Sequence, residues 1–296
     1  MTQPTPKPQR PAILTAAFWM SGSIISFTLM AIAGRELASD LDTFELMLWR
    51  SVIGVIIVLT IGGYAGTLKQ VNTRHLNRHI FRNIAHFTGQ NLWFFALPLI
   101  PLAQVFALEF TVPVWVMIFA ALFLGEKMTP IRLLSVLLGF AGILLVARPD
   151  NASISPGFIA AALAAVGFAI TTTLTKQMTR HDSITKIMFW LVMTQTVFGL
   201  ITAGYDGNIT LPEANTAPWL ILVGICGLLA HFCIARALAV APAMIVSPID
   251  FARLPIIVVV GIVLYNEPIE LTAIIGALII FAANYLNILN ESRNLR

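Results

Sequence analysis

Glu109 and Asp250 are carboxylates set inside long apolar runs, LAQVFALEFTVPVWVMIFAALFLG and PAMIVSPIDFARLPIIVVVGIVLY. A carboxylate in such surroundings loses its hydration, so its charged form is disfavoured unless a cation compensates. It can then take up a proton or receive a cationic group, or it can belong to a structural ion pair. Arg253 follows Asp250 by three residues, on the same helical face, and Arg50 in another apolar run is the expected partner of Glu109. Further polar candidates gather in one run, where His86 and Gln90 lie four apart and share a helix face, with Asn91, Trp93 and Phe94 following and Gln104 opening the next run. A stripe of this kind suits a water-filled cavity, or bonds between helices, better than lipid.

Two other groups could shape such a site. Pro113 and Pro255 follow the two acids closely, and an interior proline frees a backbone carbonyl and lets a helix bend, so both are candidate hinges. Glu126 and Glu267 fall in short turns just before a helix, where an acid favours the positive helix end and acts as a structural cap. Asn284 and Asn287, three apart in the last run, are candidates for bonds between helices, and Gly139, Gly142 and Gly276 for close packing.

The elements that must hold these residues are membrane helices. Of 296 residues 58% are hydrophobic and only 11% charged, with a mean hydropathy of +0.86, which excludes an ordinary soluble domain. A net charge of +4 would suit nucleic acid, but the basic residues lie between apolar runs rather than on one face, so no nucleic-acid partner is expected. Apolar runs bounded by charge, Pro or Gly predict ten spans across a hydrocarbon core of about 30 Å. They are 12–34, 44–63, 82–99, 102–124, 131–147, 155–175, 186–205, 217–236, 242–264 and 269–290. The first is read as a span rather than a cleaved signal segment. Cys226 and Cys233, about two helical turns apart, are too distant for a disulfide.

Ten spans put both termini on one side, and the loops then divide by charge. Fourteen Lys and Arg, among them Arg82, Lys176 and Lys186, fall on the terminal side, against Arg35 and Arg148 on the other. The positive-inside rule therefore predicts cytoplasmic termini.

An offset of 141 residues aligns 47–145 with 188–286 without a gap, matching Met47 to Met188, Trp49 to Trp190, Gly63 to Gly204 and Pro101 to Pro242. It also matches Phe110 to Phe251, Glu126 to Glu267, Glu109 to Asp250, and Gln90 to His231, which makes His231 a further cavity candidate. Five spans per half is an odd number, so the expected fold is an all-α integral membrane bundle of two inverted five-helix repeats, 12–148 and 155–290, with a site between them near the midplane.

The stretch LFLGEKMT, ending at Thr129, followed by LLGFAGILLV at 137–146, resembles the Gly-Glu turn and Gly-rich fifth helix of the drug/metabolite transporter superfamily, specifically its EamA-type members. In the second half the counterpart is VLYNEPIE followed by IIGALIIFAANYL, with Asn266 in place of the Gly; Trp49-Arg50 is similar to that family's second-helix arginine, which the second half lacks at Leu191. The resemblance covers nearly the whole chain and implies transport while leaving the cargo open.

No HExxH, paired CxxC, GxGxxG or phosphate loop occurs, and no metal or cofactor is expected. The expectation is a secondary transporter in the cytoplasmic membrane, working by alternating access with protons as coupling ion. Its cargo would be a small amphoteric or cationic metabolite such as an amino acid, a nucleoside-type metabolite or a vitamin. Trp93, Trp115 and Phe110 would receive an aromatic moiety. A passive exchanger or multidrug exporter is the alternative within transport, and an intramembrane enzyme or membrane scaffold the alternative outside it. Oligomeric state is left open.

Overall fold

Asp42 begins the first clear demonstration of why these helices start where they do. Its Oδ1 accepts the N–H groups of Phe44 and Glu45, while the Glu45 carboxylate reaches back to the Asp42 N–H, so the otherwise unpaired donors of the first turn are satisfied. Ser155 and Ser183 cap two later helices in the same way, on the N–H groups of Phe158 and Lys186. In a computed structural model, residues 10–123, 128–147, 155–241, 246, 249–268 and 271–294 are described, and among them the structure is helical with no strand. In chain order the helices are α1 (Arg10–Leu37), α2 (Thr43–Tyr64), α3 (Leu76–Ala96), α4 (Leu102–Glu109), α5 (Val112–Phe123), α6 (Pro130–Ala147), α7 (Pro156–Met178), α8 (Ile184–Ala203), α9 (Ala217–Val240), α10 (Arg253–Tyr265) and α11 (Leu271–Asn294).

Among the described residues six stretches are long and apolar enough to cross a membrane, Leu14–Leu37 and Ala217–Val240 among them, and shorter apolar helices include Ile256–Tyr265 and Ile274–Ala283. Helices suit a bilayer because they satisfy their own backbone groups. Large apolar side chains such as Phe18, Ile25, Ile56 and Val263 point outward and exposed, as lipid contact requires. Helix α3 is the exception in composition. It buries Arg82, Asn83, His86, Gln90 and Asn91 and exposes Phe81, Ile84 and Phe95, so its polar face looks inward.

The most extensive packing joins α1 to α9, α2 to α8, α3 to α7 and α6 to α11, with α4 against α10. Small residues allow the close approaches. A Cβ on Gly167 would lie 2.9 Å from the Ala85 carbonyl and 3.1 Å from the Gly89 Cα across the α3–α7 contact, and one on Gly142 would lie 2.7 Å from the Gly276 carbonyl across α6–α11. Cys226 and Cys233 are free and buried.

Two expected spans need correction. The 102–124 run is not one helix: α4 ends at Glu109 and α5 starts at Val112, because Pro113 has no N–H to return to the Glu109 carbonyl. In the 242–264 run, Asp250–Ala252 forms a 3-10 turn and the α-helix begins at Arg253, with Pro255 in its first turn. Each acid therefore stands at a break in the helix rather than within it. Helix α3 also starts at Leu76, before the expected 82.

Candidate functional site

The centre of the site is Arg253, the first residue of α10 and fully buried. Its Nη2 donates to Glu109 Oε1 at 2.5 Å, from the end of α4, and to Asp250 Oδ2, one turn back. The rings of Phe106 and Phe27 hold the guanidinium at 4.7 and 5.0 Å from their centroids, where a cation is attracted by the ring faces. Trp93 Nε1 donates to the other Glu109 oxygen at 2.8 Å. Both Glu109 oxygens are thus engaged, whereas Asp250 Oδ1 and Arg253 Nε and Nη1 are buried with no hydrogen-bond partner among the described residues.

Beside this cluster lies a cavity of about 90 Å³. Of the expected site residues it is lined by Glu109, Asp250, His86, Gln90, Trp93 and His231, with the hinge candidate Pro113 at the same wall. His86 and His231 meet edge to face, 4.4 Å between ring centroids. Phe110 also lines it.

The others fall elsewhere. Arg50 does not pair with Glu109: its Nη1 donates to Gln90 Oε1 at 2.6 Å, and Arg253 takes both acids instead. The backbone of Gly227 leaves room for that guanidinium, since a Cβ there would stand 2.7 Å from Arg50 Nε. Asn91 turns back on its own helix, its amide donating to the Phe87 carbonyl at 2.9 Å. Trp115 packs on Phe140, 5.4 Å between centroids, and does not line the cavity. The Pro255, Asn284 and Asn287 side chains, and Glu126 altogether, lie outside the described residues.

Sequence reasoning missed Arg82, Phe168 and the threonines Thr171, Thr172 and Thr175, all of which line the cavity. The sequence reading puts Arg82 at the terminal-side edge of the 82–99 span; it is 2% exposed, and its Nε donates to Thr175 Oγ1 at 3.1 Å. The available signal was periodic: Arg82, His86, Gln90 and Trp93 are spaced along one face of α3.

Polar latches close the bundle at both ends. Glu267 pairs with Arg35 at the end of α1 and accepts the Leu102 N–H with both oxygens at 3.0 Å, so it caps α4. Its neighbour Tyr265 donates to Glu36 at 3.1 Å. At the opposite end Lys186 Nζ donates to Asp182 Oδ1 at 2.7 Å, to Asn72 Oδ1 at 2.8 Å and to the Arg74 carbonyl at 2.7 Å. Asp182 lies in the turn before α8; burial alone would raise its carboxyl, but hydrogen bonding and charge from Lys186, with His79 beside it, hold it below the usual carboxylate range.

A helical bundle with apolar outer faces around a buried cluster of charged side chains defines an integral membrane protein. The profile of the EamA-like transporter family matches residues 14–148 and 155–289, and the chain belongs to that family. A riboflavin transporter of Brucella anthropi is 30% identical over 240 residues, covering 80% of this chain and 84% of that one. An S-adenosylmethionine uptake transporter of Rickettsia bellii is 25% identical over 279 residues, covering 93% of this chain and 94% of that one. A solved crystal structure shares the fold, with a TM-score of 0.69 at 17% identity over 95% of this chain and 98% of that one. The protein is a transporter of that family, not an enzyme.

Proposed function

We propose that the protein is a proton-coupled secondary transporter of the cytoplasmic membrane, working by alternating access on a metabolite with a heteroaromatic ring and a polar end, the class to which riboflavin and S-adenosylmethionine belong. The observation that carries the coupling is the Glu109–Arg253–Asp250 cluster beside the cavity. One buried cation neutralises one carboxylate, and a proton on the other would complete the balance. Because Glu109 and Asp250 sit at breaks in their helices, closing motions of the bundle can change which side they see. Trp93 and Phe110 offer aromatic surface to the ring.

Ten spans in two inverted five-helix repeats are part of this reading, and the packing supports it. Advancing each helix by one repeat exchanges the α1–α9 contact with α3–α7 and returns α2–α8 to itself. Trp49 Nε1 donates to the Thr210 carbonyl at 2.9 Å, and its counterpart Trp190 donates to the Asn72 carbonyl at 3.0 Å. Cytoplasmic termini follow from the loop charges. Single cysteines at exposed Asn208 and Asn72, in a background lacking Cys226 and Cys233, check the orientation. An impermeant reagent added outside should label position 208 and spare 72; the reverse pattern would overturn it.

Transport itself is tested in proteoliposomes offered riboflavin or S-adenosylmethionine, with and without an imposed pH difference. The expected result is accumulation of one of them above the external concentration only when the gradient is present. Equilibration unaffected by the gradient would instead make the protein a passive exchanger.

A further inference from the structure

The charges around the cavity are unevenly matched. Arg253 has two carboxylate partners, whereas Arg50 and Arg82, 7% and 2% exposed, have only neutral ones. Arg50 reaches Gln90 Oε1 and Met47 Sδ, and Arg82 reaches Thr175 Oγ1 and Asn83 Oδ1. Among the described residues no carboxylate lies within ion-pair distance of either. A desolvated cation needs a counter-charge, and the described residues supply none here.

Between these cations stand His86 and His231, 0% and 7% exposed and both lining the cavity. Both His86 ring nitrogens and His231 Nε2 are buried without a hydrogen-bond partner. Arg82 lies one turn before His86 on α3, and Arg50 is bonded to Gln90 one turn after it. A neutral imidazole offers one donor and one acceptor, and beside two guanidinium groups the favoured guest is an oxygen acceptor carrying negative charge.

We infer that this end of the cavity is an oxyanion subsite, in which Arg82, His86 and His231 receive the carboxylate of an amphoteric solute. The inference rests on the transport reading above and narrows its cargo. Arg82 presents a planar fork suited to two parallel bonds to a carboxylate, and Arg50 adds positive field from behind Gln90. Arg82 and Trp93 are eleven residues apart on α3, roughly 16 Å along the axis. A solute reaching towards both ends is therefore an extended molecule. Its carboxylate lies towards Arg82, and its aromatic or cationic part towards Trp93, Glu109 and Asp250. S-adenosylmethionine has that polarity; riboflavin, which has no carboxylate, does not.

The test compares binding of S-adenosylmethionine and its decarboxylated analogue, which keeps the sulfonium and the adenine, to purified protein by calorimetry. The parent should bind the carboxylate form about 10- to 100-fold more tightly, and Arg82→Gln should remove most of that preference, with the dicationic analogue bound at least as tightly as by the parent because a like charge is gone. His86→Leu and His231→Leu, which keep the guanidinium, should each reduce the preference and serve if Arg82→Gln fails to fold. Equal affinity for the two ligands, binding of neither, or full preference in the folded variants overturns the subsite. Riboflavin binding unaffected by Arg82→Gln, without either sulfonium ligand, overturns it while leaving the transport reading intact. Loss of gradient-driven uptake with the carboxylate preference preserved has the opposite meaning.

Discussion

Replacing Arg253 with methionine is expected to cost about 3–5 kcal/mol of stability, because it strands two carboxylates in a site built around one cation. The guanidinium is fully buried, bonded to Glu109 and Asp250 and packed against Phe27 and Phe106, so neither water nor another described cation can replace it. Arg253→Lys should lose less, since an ammonium keeps the charge but cannot span both acids with a planar fork. Fluorescence-detected size-exclusion chromatography and thermal unfolding in detergent give the measurement. The triple change Arg253→Met, Glu109→Gln and Asp250→Asn should recover much of the lost stability, as removal of all members of a buried ion cluster often does. An Arg253→Met protein as monodisperse and as heat-resistant as the parent would refute the central role of this cluster.

The second large effect is expected on coupling rather than folding. Asp250→Asn keeps nearly the same shape but cannot alternate between protonated and charged forms, so gradient-driven accumulation should fall to the level seen without a gradient while exchange of solute persists. Asp250 is the more exposed of the two acids to such a change, because its Oδ1 has no partner and it lines the cavity. Glu109→Gln should also impair accumulation, with a larger loss of stability, since Glu109 accepts from both Arg253 and Trp93. The two amide variants are compared with the parent in proteoliposomes under an imposed pH difference. If both still accumulate solute as the parent does, the acids are structural ion-pair members and the coupling site lies elsewhere.

Particular residues show how much of this was legible in advance. Glu109 and Asp250 stood out because an acid in an apolar run carries a desolvation cost that needs a reason. The Asp250–Arg253 pair was readable because it is local, three residues apart on one helix. The partner of Arg50 was not. Glu109 was the natural guess, but the structure turns Arg50 towards Gln90 and gives both acids to Arg253. Pro113 and Pro255 pointed to weak places in the helices, though not to the breaks that put each acid at a helix end. Glu267 was recognisable as a capping acid, yet the helix it caps begins at Leu102, 165 positions away in sequence.

Arg82 marks the boundary most clearly. Hydropathy places it at the very edge of a span, where its charge counts with the loops, and only the packing of α3 against α7 puts it beside Thr175 and the cavity. The sequence by itself determined the class of molecule, the helical spans in outline and which acids stand inside apolar runs, because these depend on composition, periodicity and the local cost of burying charge. Tertiary structure decided which cation answers which anion, which face of α3 is wet and which buried donors remain open. Those depend on the rotation and depth of each helix against helices far away in the chain, and residue spacing along one helix carries no information about either.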